Sequence, residues 1–437
     1  MKLRSYQQSA VNRALARTER SLLLVSPTGS GKTTIAAAIA QAASLDGERV
    51  LACAHRDELV DQLHGTLSGL LGGDHVGMVA AGRLGGESDV TVASLPTLMA
   101  RAQRPQADLV ILDEAHHAAA STFAALLASY PQSRIIGLTA TPQRGDGRGL
   151  GMFDALHVVT TPRELEAAGW LVPMEIIRPA RQLRPGQIAQ RPVDAWLAHA
   201  HGRPTIVFCS SVAHAEQTAA EFRATGAAAW AIDAKTDDKM RRGCMLAFRD
   251  GELQILCNVA ILTEGTDLPR ASCAILARGC GTQGLFMQMA GRIARPHAES
   301  GKRDALLIDL RGVSHTHDHP YADREYTLDG RGIRKRTDPE VDPGRWCRVC
   351  GAAVEPATAC AECGIEAAAA KPIKVTNSPL VKYAAARRAG ADKRAENLRL
   401  WRQIQRARGY KRHYAEGRYK AVYGTWPPTE VQALARE

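Results

Sequence analysis

The sequence predicts an α/β protein built from two successive parallel sheets covered by helices, with smaller elements after them. Three observations carry that expectation. Short apolar runs alternate with helical patterns through two blocks, residues 1–165 and 201–312. The first block opens with a strand, a glycine loop and a helix: Leu22 to Val25, then Ser26-Pro27-Thr28-Gly29-Ser30-Gly31-Lys32-Thr33-Thr34, then an alanine-rich run. Farther on, the apolar run Leu109-Val110-Ile111-Leu112 ends on Asp113-Glu114, where an open sheet of this class collects its ligands.

Each element follows from its local pattern. In the first block, apolar runs predict strands over residues 22–25, 50–54, 90–93, 109–113 and 134–139. Helical spacing predicts helices around residues 33–43 and 57–67. A connector rich in Pro and Arg, residues 166–200, follows. The second block repeats the alternation, with strands at residues 205–209, 228–232, 253–257, 273–277 and 305–310 and a helix at 213–225. Residues 313–345 read as a charged, turn-rich linker. Within it, His315-Thr316-His317-Asp318-His319 has a metal-binding look, but the pattern lacks one residue of the hydrolase form, which favours a charged loop. A cysteine-bearing segment, 346–365, and a basic tail, 366–437, complete the chain.

The glycine loop is chemistry for phosphate. Backbone N–H groups of such a loop and the helix N-terminus behind it favour an anion. Lys32 would reach the β- and γ-phosphates of a nucleotide, and the Thr33 hydroxyl would hold Mg²⁺. Ser26 stands where such loops usually begin with glycine. Asp113 would hold the Mg²⁺ mostly through water, and Glu114 would act as general base on the attacking water. Only the first block carries the loop.

Composition narrows the class. The chain has 437 residues and a net charge of +11. The tail from Lys371 onward holds 16 Lys+Arg against 5 Asp+Glu, while the remaining 370 residues hold 40 of each and are neutral. One segment therefore carries the whole excess, which is the footprint of a polyanion partner. No apolar stretch has the ~20 residues of a membrane span, and residues 1–7 lack a signal-peptide pattern. The protein is expected to be soluble and cytoplasmic, with no membrane partner. Cys53, Cys209, Cys244, Cys257, Cys273 and Cys280 lie in or beside apolar runs and read as buried free thiols, not a disulfide framework.

Further motifs, in order, resemble those of superfamily 2 helicases of the DEAH type over about residues 3–310. Leu3-Arg4-Ser5-Tyr6-Gln7 resembles the Q motif, which implies Arg4 and Gln7 at the base of ATP. Residues 26–34 are similar to motif I, and Asp113-Glu114-Ala115-His116 to motif II. Ala54-His55-Arg56 and Ala93-Ser94-Leu95-Pro96-Thr97 resemble motifs Ia and Ib, which implies Arg56, Ser94 and Thr97 on the nucleic-acid backbone. Leu138-Thr139-Ala140-Thr141-Pro142 resembles motif III, whose Thr139 and Thr141 would couple hydrolysis to strand grip. Val207-Phe208-Cys209-Ser210 and Thr263-Glu264-Gly265-Thr266-Asp267 resemble motifs IV and V, implying Ser210 and Thr263 on nucleic acid and Gly265 and Asp267 at the nucleotide. Gln288-Met289-Ala290-Gly291-Arg292-Ile293-Ala294-Arg295 resembles motif VI. The resemblance implies two RecA-like domains, with Arg292 and Arg295 as arginine fingers on the γ-phosphate and Gln288 orienting the water. Such a finger is worth roughly 10³–10⁵ in rate.

Beyond the motor, Cys347-Arg-Val-Cys350-Gly351 and Cys360-Ala-Glu-Cys363-Gly364 form two knuckles. Four thiolates on two such turns suit a structural zinc ribbon, with iron or free thiols as the alternatives. In the tail, residues 396–408 predict an amphipathic helix with Arg399, Arg402 and Arg406 on one face, and a second short helix runs through Ala415, Tyr419 and Val422. The order of parts resembles RadD-type bacterial and phage DNA-repair helicases. That resemblance implies an ATP-dependent DNA helicase or translocase acting on single-stranded or junction DNA, with ATP, Mg²⁺ and Zn²⁺ as cofactors. A single-strand-binding protein is an expected partner, and RNA is less favoured. The alternatives are a double-strand translocase without strand separation and an ATP-gated clamp.

Overall fold

A computed structural model describes residues 3–16, 18–55, 57–80, 83–84, 88–117, 120–143, 149–184, 186–259, 261–262, 267–329 and 373–383, with short stretches between 398 and 435. The first sheet takes β1 (Ser21–Val25), β2 (Val50–Ala54), β3 (Val76–Ala80), β4 (Arg83–Leu84), β5 (Val90–Ser94), β6 (Leu109–Leu112), β7 (Arg134–Thr139) and β8 (Ala155–Val158). Their spatial order is β4-β3-β5-β2-β6-β7-β1-β8, parallel throughout except for the β3–β4 pair. The second sheet takes β9 (Met174–Pro179), β11 (Thr205–Phe208), β12 (Ala229–Ile232), β13 (Ile255–Asn258), β14 (Cys273–Leu276), β15 (Ala305–Asp309) and β17 (Leu380–Lys382), in the order β12-β13-β11-β14-β15-β9-β17. Only β17 runs antiparallel, against β9. A short parallel pair, β10 (Gln187–Ile188) with β16 (Lys374–Val375), flanks it.

Both sheets are buried on both faces, which explains their uninterrupted apolar runs. Leu22 and Leu24 point into one layer with Ile35, Ile39 and Ile111. Leu23 and Val25 point into the other with Val110, Phe123 and Phe153. The second sheet divides the same way, Ile206 and Phe208 to one side and Val207 and Cys209 to the other. All six scattered cysteines are buried free thiols, and burial alone pushes Cys53 up to about 12.

Several elements stand where the sequence pattern pointed elsewhere. β9 lies inside the Pro- and Arg-rich connector, and its strand character comes from pairing with β15. β16 and β17 belong with the second domain although they lie in the basic tail. Residues 313–329 are packed, not a solvated charged linker. The helix Ser314–His317 is capped by the fully buried Asp309, which accepts from the N–H groups of Gly312, Val313 and Ser314 and from the Ser314 hydroxyl. His315, His317 and His319 each turn Nε2 to a backbone carbonyl, of Pro179, Cys280 and Met174. Arg324 donates to four carbonyls, those of His317, His319, Pro320 and Ala322. Tyr326 and Leu328 then reach the first domain and pack on the layer holding Leu150 and Phe153. Buried polar groups are tolerated here because backbone partners satisfy them.

Among the described residues no helix is long and apolar enough to cross a membrane, and no group of three or more His, Cys, Asp or Glu is arranged to hold a metal. Cys347, Cys350, Cys360 and Cys363 lie outside the described residues.

Candidate nucleotide site between two sheets

The glycine loop sits between β1 and the helix Lys32–Leu45. Ser26 is used, not merely tolerated: its hydroxyl donates to Ser30 Oγ at 2.7 Å, and Ser30 Oγ donates to the Pro27 carbonyl at 2.7 Å. The loop is braced from behind by the helix Ser5–Leu15. Gln7, 4% exposed, donates from Nε2 to the Ser30 carbonyl at 2.9 Å and accepts the Arg4 N–H at 3.0 Å. Tyr6 donates its hydroxyl to the same carbonyl at 2.7 Å. Both ends of the Gln7 amide are thus taken by backbone. Tyr6 is a site residue that motif reading passed over, although it adjoins Gln7 in the same helical turn.

The acidic pair emerges from β6. Asp113 is 7% exposed, and Glu114 turns at φ 48°, a left-handed conformation that costs a non-glycine residue roughly 1 kcal/mol or more. That turn brings Glu114 Oε1 to 3.3 Å from Lys32 Nζ. Glu114 Oε2 lies 3.4 Å from His116 Nδ1, and the same nitrogen is 3.1 Å from Thr139 Oγ1. Thr139 in turn donates to the Thr141 carbonyl at 2.7 Å. Lys32, Glu114 and His116 therefore form one connected cluster.

The second domain completes it. Gln288, on the buried helix Gln283–Gly291, brings Nε2 to 3.3 Å from His116 Nε2. In this arrangement the Gln288 amide nitrogen donates and His116 Nε2 accepts. His116 is the second residue absent from the sequence-derived site, although it closes the Asp113–His116 motif. Helix and loop touch because Gly291 has no side chain: a Cβ there would lie 2.6 Å from Thr28 Cβ. Arg295 reaches over the loop, its Cγ 3.6 Å from where a Gly29 Cβ would stand, and pairs with Asp267. Arg292 follows Gly291 as the C-terminal cap of that helix.

Other expected contacts scatter. Ser94 and Ser210 are buried at the ends of β5 and β11, the latter 3.0 Å from His214 Nδ1. Thr97 is half-buried on the helix Leu95–Ala100. Arg56, Thr263 and Gly265 lie outside the described residues. In the tail, Arg402 pairs with Glu416 at 3.0 Å, Arg399 is half-buried and Arg406 is exposed. Tyr419 is fully buried with Leu398 and Ala415, and Trp401 packs on it edge-on. Those two aromatics belong to a small apolar core.

The donor set fits magnesium. Asp113 and Thr33 offer a carboxylate and a hydroxyl beside the phosphate loop, hard oxygens of the kind Mg²⁺ takes while keeping several waters.

A family model described as the res subunit of type III restriction enzymes matches residues 1–144, and one described as the helicase conserved C-terminal domain matches residues 190–297. The chain is similar to a 51.5 kDa protein of a Lactococcus phage (isolate 7-9), 28% identical over 357 residues, covering 76% of this chain and 74% of that one. It is 31% identical over 371 residues to a candidate DNA 3′-5′ helicase, Rad25, of Halobacterium salinarum, covering 76% of this chain and 58% of the archaeal protein. In fold it is similar to a fragment of a candidate HsdR subunit of a type I restriction enzyme from Vibrio vulnificus, with a TM-score of 0.57 at 22% identity, over 75% of this chain and 67% of the fragment.

Proposed function

The chain belongs to superfamily 2 of the helicases, ATP-hydrolysing motors on nucleic acid, and from that premise we propose that it moves along or remodels DNA in repair or recombination. One observation supports this most: Lys32, Glu114 and His116 of the first domain and Gln288 of the second form a single chain of contacts. Lys32 Nζ lies 3.3 Å from Glu114 Oε1. Arriving phosphates compete for Lys32, which frees Glu114 to take a proton from the attacking water. His116 then reports the state of Glu114 to Thr139 on one side and Gln288 on the other. Arg292 and Arg295 add positive charge where the transition state gathers negative charge. Magnesium, held by Thr33 and Asp113, would neutralise the phosphates. Catalysis therefore needs both domains, and domain closure is the step that DNA can drive or follow.

The remaining parts extend the reading. Cys347, Cys350, Cys360 and Cys363 would bind a structural zinc, since paired CxxC knuckles supply a closed set of four thiolates. The cationic tail would grip DNA phosphates, with Arg406 the most exposed of its three expected contacts. The deciding experiment is the ATP turnover rate with single-stranded DNA, duplex, fork and RNA, paired with strand displacement. Stimulation by DNA with strand separation is expected. Stimulation without separation identifies a translocase, and turnover indifferent to DNA overturns the motor reading in favour of a clamp.

A further inference from the structure

Three consecutive residues between the sheets touch three parts of the site. Trp170, Leu171 and Val172 follow the helix Pro162–Ala167, and the N–H groups of Trp170 and Leu171 both donate to the Leu165 carbonyl. The Trp170 ring lies against the Arg4 guanidinium, whose Cζ is 3.7 Å from the ring centroid. Leu171 is buried against the phosphate loop, its Cδ2 3.0 Å from where a Cβ on Gly29 would stand. Val172 donates its N–H to the Ala294 carbonyl at 2.8 Å, one residue before Arg295, and accepts the Tyr321 hydroxyl at 2.9 Å. Trp170 is itself 39% exposed, while Leu171 and Val172 after it are buried.

Arg4 is oriented from a second side. Its Nη1 donates to the Tyr6 hydroxyl at 3.0 Å, which continues to the Ser30 carbonyl. Both polar ends of the Gln7 amide are engaged by backbone. The planar group offered beside the loop is therefore the Arg4 guanidinium. One of its faces is covered by Trp170, and such a plane stacks on rings through either face.

We propose that Trp170 is a positioning residue for the nucleotide base: it holds the Arg4 guanidinium in place so that the opposite face receives the base of a nucleoside triphosphate. The proposal rests on the ATP-site reading above and adds to it a residue outside the recognised motifs. Leu171 and Val172, the residues after Trp170, belong to the apolar core of the second domain, where Val172 donates to the Ala294 carbonyl. The base slot is thus completed from the side that carries the arginine fingers.

The test is equilibrium binding to the full chain of two ligands, ATP and inorganic tripolyphosphate, which has the phosphates but no base. Trp170→Ala should weaken ATP binding by about two- to thirty-fold, the range of a partly exposed cation–π contact. Tripolyphosphate binding should stay within about twofold. Trp170→Phe should recover most of the loss, and Arg4→Lys, which keeps the charge but not the plane, should reproduce it. Unchanged ATP binding in Trp170→Ala overturns the proposal. So does an equal loss for both ligands, which would mean general distortion of the site. A wild-type chain that binds ATP more tightly than tripolyphosphate but never turns it over would defeat the motor reading and leave this one standing.

Discussion

Gly291→Ala should slow ATP turnover about 100-fold. The new Cβ would lie 2.6 Å from Thr28 Cβ and 2.7 Å from Thr28 Cγ2. Carbon atoms rest about 3.5–4.0 Å apart, so one partner must retreat by about 1 Å. Thr28 cannot readily move, because its loop is tied by the Ser26–Ser30–Pro27 hydrogen bonds and by Gln7 and Tyr6 from behind. Nor can its Cβ rotate away. The retreat falls on the helix Gln283–Gly291 and carries Gln288 and Arg292 with it. A 1 Å misplacement of catalytic groups costs about 100-fold, or roughly 2.7 kcal/mol of barrier. Alanine is at the same time the better helix residue by about 0.5–1 kcal/mol. Shifting that buried helix costs about 1–3 kcal/mol in overpacking, which offsets the propensity gain, so stability should change little or fall modestly while kcat falls by far more. The assay is DNA-stimulated ATP turnover, with nucleotide affinity and thermal unfolding measured on the same preparation. Turnover within about threefold of wild type would refute the claim that this contact sets the distance between the domains.

Four further outcomes are expected. Lys32→Ala should lose nucleotide affinity, whereas Glu114→Gln should keep binding and lose turnover; near-normal hydrolysis by the latter would remove Glu114 as the base. Burial between the Pro269 and Ala271 carbonyls pushes Lys302 down to about 7. The unfolded chain then binds the proton more tightly, so stability should rise as pH goes from 7 toward 10, and Lys302→Met should flatten that part of the Tm–pH curve relative to wild type. Cys350→Ser should cost the protein one equivalent of zinc in metal analysis while basal ATPase survives, and wild-type protein without zinc would end the ribbon proposal. Truncation after Tyr383, which spares β16 and β17, should weaken DNA binding and flatten the slope of log K against log salt by ~0.7–0.9 for each DNA phosphate that the tail no longer neutralises. An unchanged slope would mean that the tail neutralises no DNA phosphates.

The sequence by itself determined the two-sheet architecture and most of the chemistry. Strands buried on both faces leave continuous apolar runs, and the runs at β1, β2, β5, β6 and β7 are of that kind. The phosphate loop and the acidic pair were legible because the chemistry demands particular residue types at fixed local spacing. Tertiary structure alone decided what distant segments do to each other. β9, β16 and β17 are strands because they pair with an existing sheet edge or strand, not because their residues insist on it. The charged stretch at 313–329 is held by distant segments, since His315, His317 and His319 turn to the carbonyls of Pro179, Cys280 and Met174. The partners of His116 and Trp170, Gln288 and Arg4, each lie more than 160 residues away in sequence. Local spacing encodes what a residue can do; proximity across the two domains, which no local pattern records, encodes what it does it with.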